Sequence, residues 1–317
     1  MNENLTVVAI LVGILHSGIR LATPYLYAAI GETFAQRSGV LNLGVEGIML
    51  MGAYAGFYVV FQTGNLVLGV LAAAAVGGVL GLAMAFISIT LQAEQGISGI
   101  GLFMFGLGAS SLLFKTTLGT VEGVSGFPEL NGCLPGGNFC MSDIPVVGPI
   151  FFGHSVMVYG AFLLVPVAWW VINKTTWGLS IRSVGQNPQA ADTLGINVAR
   201  VRYMTVTLGG VLAGIAGASL SISLLNIFQE NMTNGMGFIA VALVYFGSWT
   251  PFGVLAGALL FSLINALQLW VQVLGLNIPS DVAVMLPYLL TIIVLAVPFK
   301  RSLQPAALTK PFERGEN

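Results

Sequence analysis

The chain has 317 residues, of which 56% are hydrophobic and only 7% charged, with a formal net charge of −1. A water-soluble domain carries about 25% charged residues, so apolar runs such as Asn65 to Leu91 need lipid as their solvent. Eleven dispersed cations make no phosphate-binding field, which excludes nucleic acid as a partner. The fold class read from this is all-α: a polytopic membrane helix bundle forming a single transmembrane domain over residues 1–317.

A spanning helix needs roughly 20 apolar residues, and the runs here are too long for barrel strands. In chain order they are Leu5 to Ile30, Val40 to Phe61, Leu66 to Leu91, Ile97 to Thr117, Ile150 to Ile172, Val201 to Leu225, Gly235 to Ser248, Phe252 to Leu274 and Val282 to Phe299. These nine give a range of eight to ten spans, because Arg20 and Pro24 leave open a division of the first run into a span and a half-helix. The seventh run is short and ends at Trp249-Thr250-Pro251. The opening Met1-Asn2-Glu3-Asn4 lacks a basic region and no small-residue cleavage site follows, so the first span reads as retained.

Orientation follows Lys and Arg in short loops. Lys174, Arg182, Arg200 and Arg202 lie in the segment 173–202, and Lys300, Arg301, Lys310 and Arg314 in the tail. Both are assigned to the cytoplasm. The segment 118–149 holds Glu122, Glu129 and Asp143 without Lys or Arg and is assigned outside, which puts the N-terminus outside and the C-terminus inside. Cys133 and Cys140, the only cysteines, sit in that external loop; they form a disulfide in an oxidising compartment or stay as two thiols, and without nearby His they are too few for zinc.

Pairs at four-residue spacing, Gly77 with Gly81, Gly210 with Gly214 and Gly253 with Gly257, suit close helix packing in lipid. The string Gly-Val-Leu-Ala-Gly occurs at both Gly210 to Gly214 and Gly253 to Gly257, a weak sign of related helix units.

The segment 173–202 is longer than a turn requires, and it carries helix punctuation. Asn187 is an N-cap candidate, Pro188 suits the first helical position, Gln189, Ala190, Ala191, Asp192, Thr193 and Leu194 make about two turns, and Gly195 suits a left-handed end. Ala190 and Ala191 give a small face that another protein's groove can approach closely, with Leu194 and Ile196 as apolar contacts. The alternative is an amphipathic loop resting on the bilayer or on its own bundle.

The run from Gly185 to Ile196 resembles the Gly-x-Asn-Pro-x-Ala-Ala-x-x-x-Gly-Ile coupling segment of ABC-importer permeases of the branched-chain amino acid, ribose and simple-sugar or nucleoside type. Ala35 to Ala53, with Arg37-Ser38-Gly39-Val40-Leu41-Asn42-Leu43-Gly44-Val45-Glu46-Gly47, and Gly237 to Val244 running on to Pro251-Phe252-Gly253 are similar to further stretches of that family, most closely its sugar and nucleoside branch. The likeness runs from about Arg20 to Pro298 and departs at Gln189, where the generic motif has Glu, and in the Cys-containing loop. It implies a bacterial inner-membrane permease with no enzymatic role, paired with a second, different permease subunit and served by an extracytoplasmic binding protein. It also implies cytoplasmic ATPase subunits that hold ATP and Mg and grip residues 187–195. The chain has no Gly-x-x-x-x-Gly-Lys-Ser/Thr loop of its own.

Ionisable residues inside spans mark functional or paired sites. Glu46, with Asn42 one turn earlier, lies either on the translocation path or in a structural role, capping a broken helix or pairing with Arg20 or Arg37. Asn265, Gln268 and Gln272 form one polar stripe that faces a pore or bonds neighbouring helices. Asn226, Gln229 and Asn231 lie at the end of the sixth span, as path-mouth groups or simply solvated ones. Tyr245, Phe246 and Trp249 are either a stacking surface or interfacial anchors, and Trp169, Trp170 and Trp177 read as anchors. His16 and His154 are far apart in sequence, and no catalytic or metal constellation is visible. The expected function is import of a small polar solute, a nucleoside or simple sugar, driven by ATP. An ion-gradient-driven secondary transporter is the alternative, for which Glu46 alone makes a poor relay.

Overall fold

The structure is a computed structural model that describes residues 3–130, 146–273 and 304–313, with the single positions 144, 285, 289 and 292. The chain runs through α1 (Glu3–Arg37), α2 (Val45–Thr63), α3 (Leu66–Ala85), α4 (Gln95–Thr117), β1 (Glu129–Leu130), α5 (Val147–Phe151), β2 (His154–Ser155), α6 (Val156–Lys174), α7 (Thr176–Gln186), α8 (Pro188–Thr193), α9 (Val198–Ser219), α10 (Met236–Phe246) and α11 (Pro251–Val273). Among the described residues, seven helices are long and apolar enough to cross a membrane, and α10 is a shorter apolar helix. Eight of the nine expected spans fall on these elements. The ninth, Val282 to Phe299, lies outside the described residues, as do Cys133 and Cys140.

The division left open at Arg20 and Pro24 does not occur, since α1 is one continuous helix with Pro24 inside it. Proline removes one intrahelical donor and crowds the preceding turn, but every residue from Ala22 to Val40 is buried. α1 packs against α9, α11, α10 and α6, and these neighbours keep it continuous where propensity alone would break it. Arg20, one turn before the proline, donates from Nη2 to the Leu224 carbonyl at 3.0 Å.

α3 and α9 meet through glycine. A Cβ on Gly77 would lie 2.3 Å from the Gly210 carbonyl oxygen, and one on Gly214 2.2 Å from that of Ala73, so the seam admits no side chain. Such close backbone approach supplies packing where lipid offers no hydrophobic drive. Each of these helices ends in a wide π-helical turn, Phe86–Thr90 after α3 and Leu220–Leu224 after α9. There the ladder spans five residues, with Leu91 N–H on Phe86 O at 3.1 Å and Leu225 N–H on Leu220 O at 3.0 Å.

Several boundaries differ from expectation: α1 runs on past Ile30 to Arg37, and α2 starts at Val45 and not at Val40. The span expected from Ile150 begins at Val156, because Gly153 turns at φ +104° and His154–Ser155 pair antiparallel with Glu129–Leu130. Arg200 and Arg202 belong to the first turn and a half of α9, not to a loop. α7 also replaces part of that expected loop. Thr175 caps it, accepting from Gly178 N–H at 3.0 Å, and Ile181 and Val184 bury one face.

Candidate functional site

α10 has eleven residues, about 16 Å at 1.5 Å per residue, roughly half a bilayer's hydrocarbon thickness. It is entered through Asn231 at φ +54°, Asn234 at φ +42° and Gly235 at φ +86°, left-handed conformations that Asn and Gly tolerate best. The free N–H groups of its first turn need acceptors, and a neighbouring helix supplies them. Glu46, 1% exposed at the start of α2, accepts from Thr233 Oγ1 at 2.5 Å and Gly235 N–H at 2.8 Å on Oε1, and from Gly237 N–H at 2.5 Å on Oε2. A Cβ on Gly237 would sit 2.6 Å from the Glu46 backbone, so only glycine lets the two helix ends come this close.

Glu46 therefore caps a broken helix and pairs with neither arginine. Arg37 Nε donates instead to the Trp249 carbonyl at 2.9 Å, at the other end of α10. There Ser248 and Trp249 both hold positive φ, 50° and 56°, a conformation costly for non-glycine residues unless the surroundings enforce it. Trp249 N–H closes on Val244 O at 3.0 Å, and its indole Nε1 donates to Gln36 Oε1 at 2.8 Å. Trp249 is 2% exposed, so it is a buried, hydrogen-bonded clasp and not an interfacial anchor. Tyr245 meets its ring edge-on, centroids 4.7 Å apart, and remains partly exposed.

The same network reaches Glu32, which sequence reading missed because the first apolar run was ended at Ile30. Glu32 is buried, and its Oε1 accepts from Gln36 Nε2 at 3.0 Å and Asn42 N–H at 2.9 Å. Its Oε2 has no hydrogen-bond partner among the described residues. Asn42 Oδ1 accepts from Gly44 N–H at 2.9 Å. Asn42 thus belongs with Glu32 and Gln36 to the network that reaches Trp249 at the far end of α10, while Glu46 holds its start, so α10 is tied to α1 at one end and to α2 at the other.

The other candidate path residues stand apart. Gln268 is buried and Asn265 half-buried on α11, while Gln272 lies on the same helix with its side chain outside the described residues. Asn226, at φ +58°, accepts from Val124 N–H at 2.9 Å through its carbonyl. Among the described residues no hydrogen bond joins Asn226, Asn265 or Gln268 to Glu46. His16 and His154, distant in sequence, stack with centroids 4.4 Å apart. His16 Nδ1 lies 2.7 Å from the Pro149 carbonyl oxygen and His154 Nε2 2.8 Å from that of Ile150. Burial holds the His154 imidazole below its ordinary value. No group of three or more potential metal-binding side chains occurs among the described residues.

At the end of the bundle that carries Arg37, α8 forms as its punctuation indicated. Asn187 Oδ1 accepts from Ala190 N–H at 3.0 Å, Pro188 takes the first position, and Gly195 turns at φ +84° with its N–H on Asp192 O at 2.9 Å. The small face divides: Ala191 is buried against the bundle, whereas Gln189 and Ala190 are exposed and Leu194 is 81% exposed. Beside α8 lies the segment 304–313, which sequence reading had counted only as a charged tail. Ala307 N–H donates to Gly185 O at 2.9 Å, and Thr309 N–H to Gly39 O at 3.1 Å.

The chain matches the model of the branched-chain amino acid transport system permease component over residues 14–295. It is 41% identical to a putative glucose ABC transporter permease of Haloferax volcanii, covering 85% of this chain and 80% of that one. It is 35% identical to a guanosine ABC transporter permease of Bacillus subtilis, over 98% and 99% of the two chains. It is also 36% identical to a nucleoside ABC transporter permease of Lactococcus lactis, over 90% and 92%. No solved structure matches.

Proposed function

The chain belongs to the permease component family of branched-chain amino acid transport systems and is a multi-pass permease subunit of an ABC importer, and from that premise we propose that it imports nucleosides. The guanosine and nucleoside permeases match this chain nearly end to end, which favours a nucleoside over a simple sugar. A binding protein delivers the solute outside. ATP and Mg are bound by cytoplasmic ATPase subunits, and a second, different permease completes the pore in a bacterial inner membrane. The clustered cations of 173–202 and of the tail support a cytoplasmic C-terminus and an external N-terminus.

The observation that carries this reading is α8: a short helix capped at both ends, whose C-terminal capping residue, Leu194, is turned away from its own bundle at 81% exposure. A single exposed leucine is ordinary by itself; this one sits in the Gly185 to Ile196 stretch that resembles the family's coupling segment, and that place is what supports a contact with a partner protein. Closure of the ATPases on ATP moves α8, and the bundle answers by shifting between outward-open and inward-open states. Coupling is the difference in stability between those states. α10, held at one end by Glu46 and at the other by Arg37 and Gln36, is the half-helix that moves as a unit against α1 and α2. Asn265, Gln268, Gln272, Asn226 and Tyr245 are the candidates for contacts along the path.

The test is uptake of radiolabelled guanosine, cytidine, ribose and glucose by cells expressing the chain with its ATPase, partner permease and binding protein. ATP depletion and proton-gradient collapse are run as separate arms. The reading expects nucleoside uptake that stops with ATP loss, survives gradient collapse and is abolished by Leu194→Arg at normal membrane levels. Uptake that needs no ATPase and stops with the gradient refutes it in favour of secondary transport.

A further inference from the structure

The segment 304–313 is laid across the α8 end of the bundle as a strap with an inner and an outer side. Pro305, Ala307 and Leu308 are buried, while Ala306, Lys310 and Glu313 are exposed. Besides its bonds to Gly185 and Gly39, the strap accepts from Arg202 Nη1 at 3.1 Å through Lys310 O and from Gln92 Nε2 at 3.4 Å through Phe312 O. Phe312 packs partly buried against the core and, with Ser88 and Ile89 of the π-turn and Val198 and Ala199 of α9, lines a small cavity. Four separate places, the turn after α1, the connection after α3, the last turn of α7 and the start of α9, are thereby tied to one short segment.

Between the strap and α8 lies a cleft of about 370 Å³, walled by Gln186 to Gln189 on one side and by Ala306, Ala307 and Lys310 to Glu313 on the other. Both walls are fixed by capping and backbone hydrogen bonds, so the cleft is preformed and little ordering cost opposes an occupant. Asn187, Pro188 and Gln189 belong both to α8 and to the cleft, so a protein that grips α8 covers it. Its rim carries one cation and one anion, Lys310 and Glu313. That mixed pair suits a protein segment, whereas an anionic lipid surface selects clustered cations.

We infer that the strap is the second wall of the ATPase docking site: a segment of the ATPase subunit enters the cleft between α8 and residues 306–313. The stroke is then delivered through the strap to the α1–α2 turn, the α3–α4 connection and α9 as well as through α8. The inference rests on the reading of α8 as the coupling element.

The assembled transporter tests it. A photo-crosslinking benzoylphenylalanine is placed separately at Glu313 and at Gln189, and the complex is irradiated with the ATPase subunits bound. Capture of the ATPase from both positions is the expected result. Capture from Gln189 but not from Glu313, or capture only of lipid at Glu313, overturns the second wall and leaves α8 as the coupling element. Capture from neither removes both readings. In parallel, Ala306→Trp fills the cleft from the strap side and leaves the residues of α8 unchanged. ATPase recovered with the two permeases is expected to fall at least about tenfold, equivalent to roughly 1.4 kcal/mol of docking energy, at unchanged permease levels, and undiminished recovery overturns the proposal.

Discussion

Replacing Glu46 tests whether α10 is suspended by its cap. In Glu46→Ala, the N–H groups of Gly235 and Gly237 and the Thr233 hydroxyl lose their shared acceptor. Each buried donor left unmade costs about 1–3 kcal/mol, so the loss is about 3–6 kcal/mol with some overlap among neighbours. Glu46→Gln keeps one acceptor oxygen but turns an amide NH2 towards one of the donor groups. That replaces one charge-assisted bond by a donor facing a donor and costs about 2–4 kcal/mol. Thr233→Val removes a single donor and costs about 1 kcal/mol. Because Thr233 acts through Glu46, the double variant Glu46→Ala with Thr233→Val is expected to lose no more than Glu46→Ala alone. Thermal unfolding of the purified complex in nanodiscs, followed by tryptophan fluorescence, ranks the variants, with Glu46→Ala expected to fall by at least about 5 °C. Equal stability of the parent, Gln and Ala forms, or simple additivity in the double variant, refutes the capping argument.

Gly77→Val forces a side chain onto the Gly210 carbonyl and is expected to cost at least about 1–3 kcal/mol, seen as loss of monodisperse protein on size exclusion. Trp249→Phe leaves Gln36 Oε1 without its donor, a cost of about 1–3 kcal/mol, and is expected to slow ATP-driven uptake at normal expression. His154, with His16, Arg20 and Glu129 acting on it, is held below its ordinary 6.5 chiefly by burial. The folded state then resists its protonation, so stability is full above 6.5 and falls as pH drops through the folded value. The protection factor of amides at the β1–β2 ladder, taken against the intrinsic exchange rate at each pH, is expected to fall from pH 7.5 to pH 5 and to lose that dependence in His154→Gln. Glu94 carries the same sign at the start of α4. Its carboxylate accepts from Ile97 and Gly96 N–H and is held below the ordinary range, so acid is expected to fray that helix start, and Glu94→Gln to remove the effect.

What was readable in the sequence is what local chemistry decides. Runs such as Leu66 to Leu91 declare a spanning helix by length alone, and Asn187, Pro188 and Gly195 each act on the backbone within four residues, so α8 could be located residue by residue. Glu46 was readable as a buried acid that needed partners, and capping was among the roles weighed, but its donors lie almost two hundred residues away. Glu32 was overlooked because helix ends in lipid are not marked by apolarity once a neighbouring bundle replaces the lipid. The continuity of α1 through Pro24 reflects tertiary packing overriding a local preference. The strap and the stacked histidines depend wholly on contacts distant in sequence, for which neither period nor composition carries a signal. α7 did have one, Thr175 followed by Trp177, Ile181 and Val184, hidden inside a segment read as connection.

The two π-turns set a phase. One extra residue in a helical turn rotates everything beyond it by about 100° relative to an uninterrupted α-helix. The side chains of Leu220–Leu224, and those of Phe86–Thr90, therefore face directions that the glycine seam of α3 and α9 would otherwise deny them. Deleting a single residue from either turn would restore a regular helix and swing the following connection by that angle, carrying Asn226 away from Val124 in one case and the Gln92 arm away from Phe312 in the other. The glycine seam of α3 and α9 is thus framed by two built-in dislocations, which lets the ends of these helices be re-aimed while the middle stays locked.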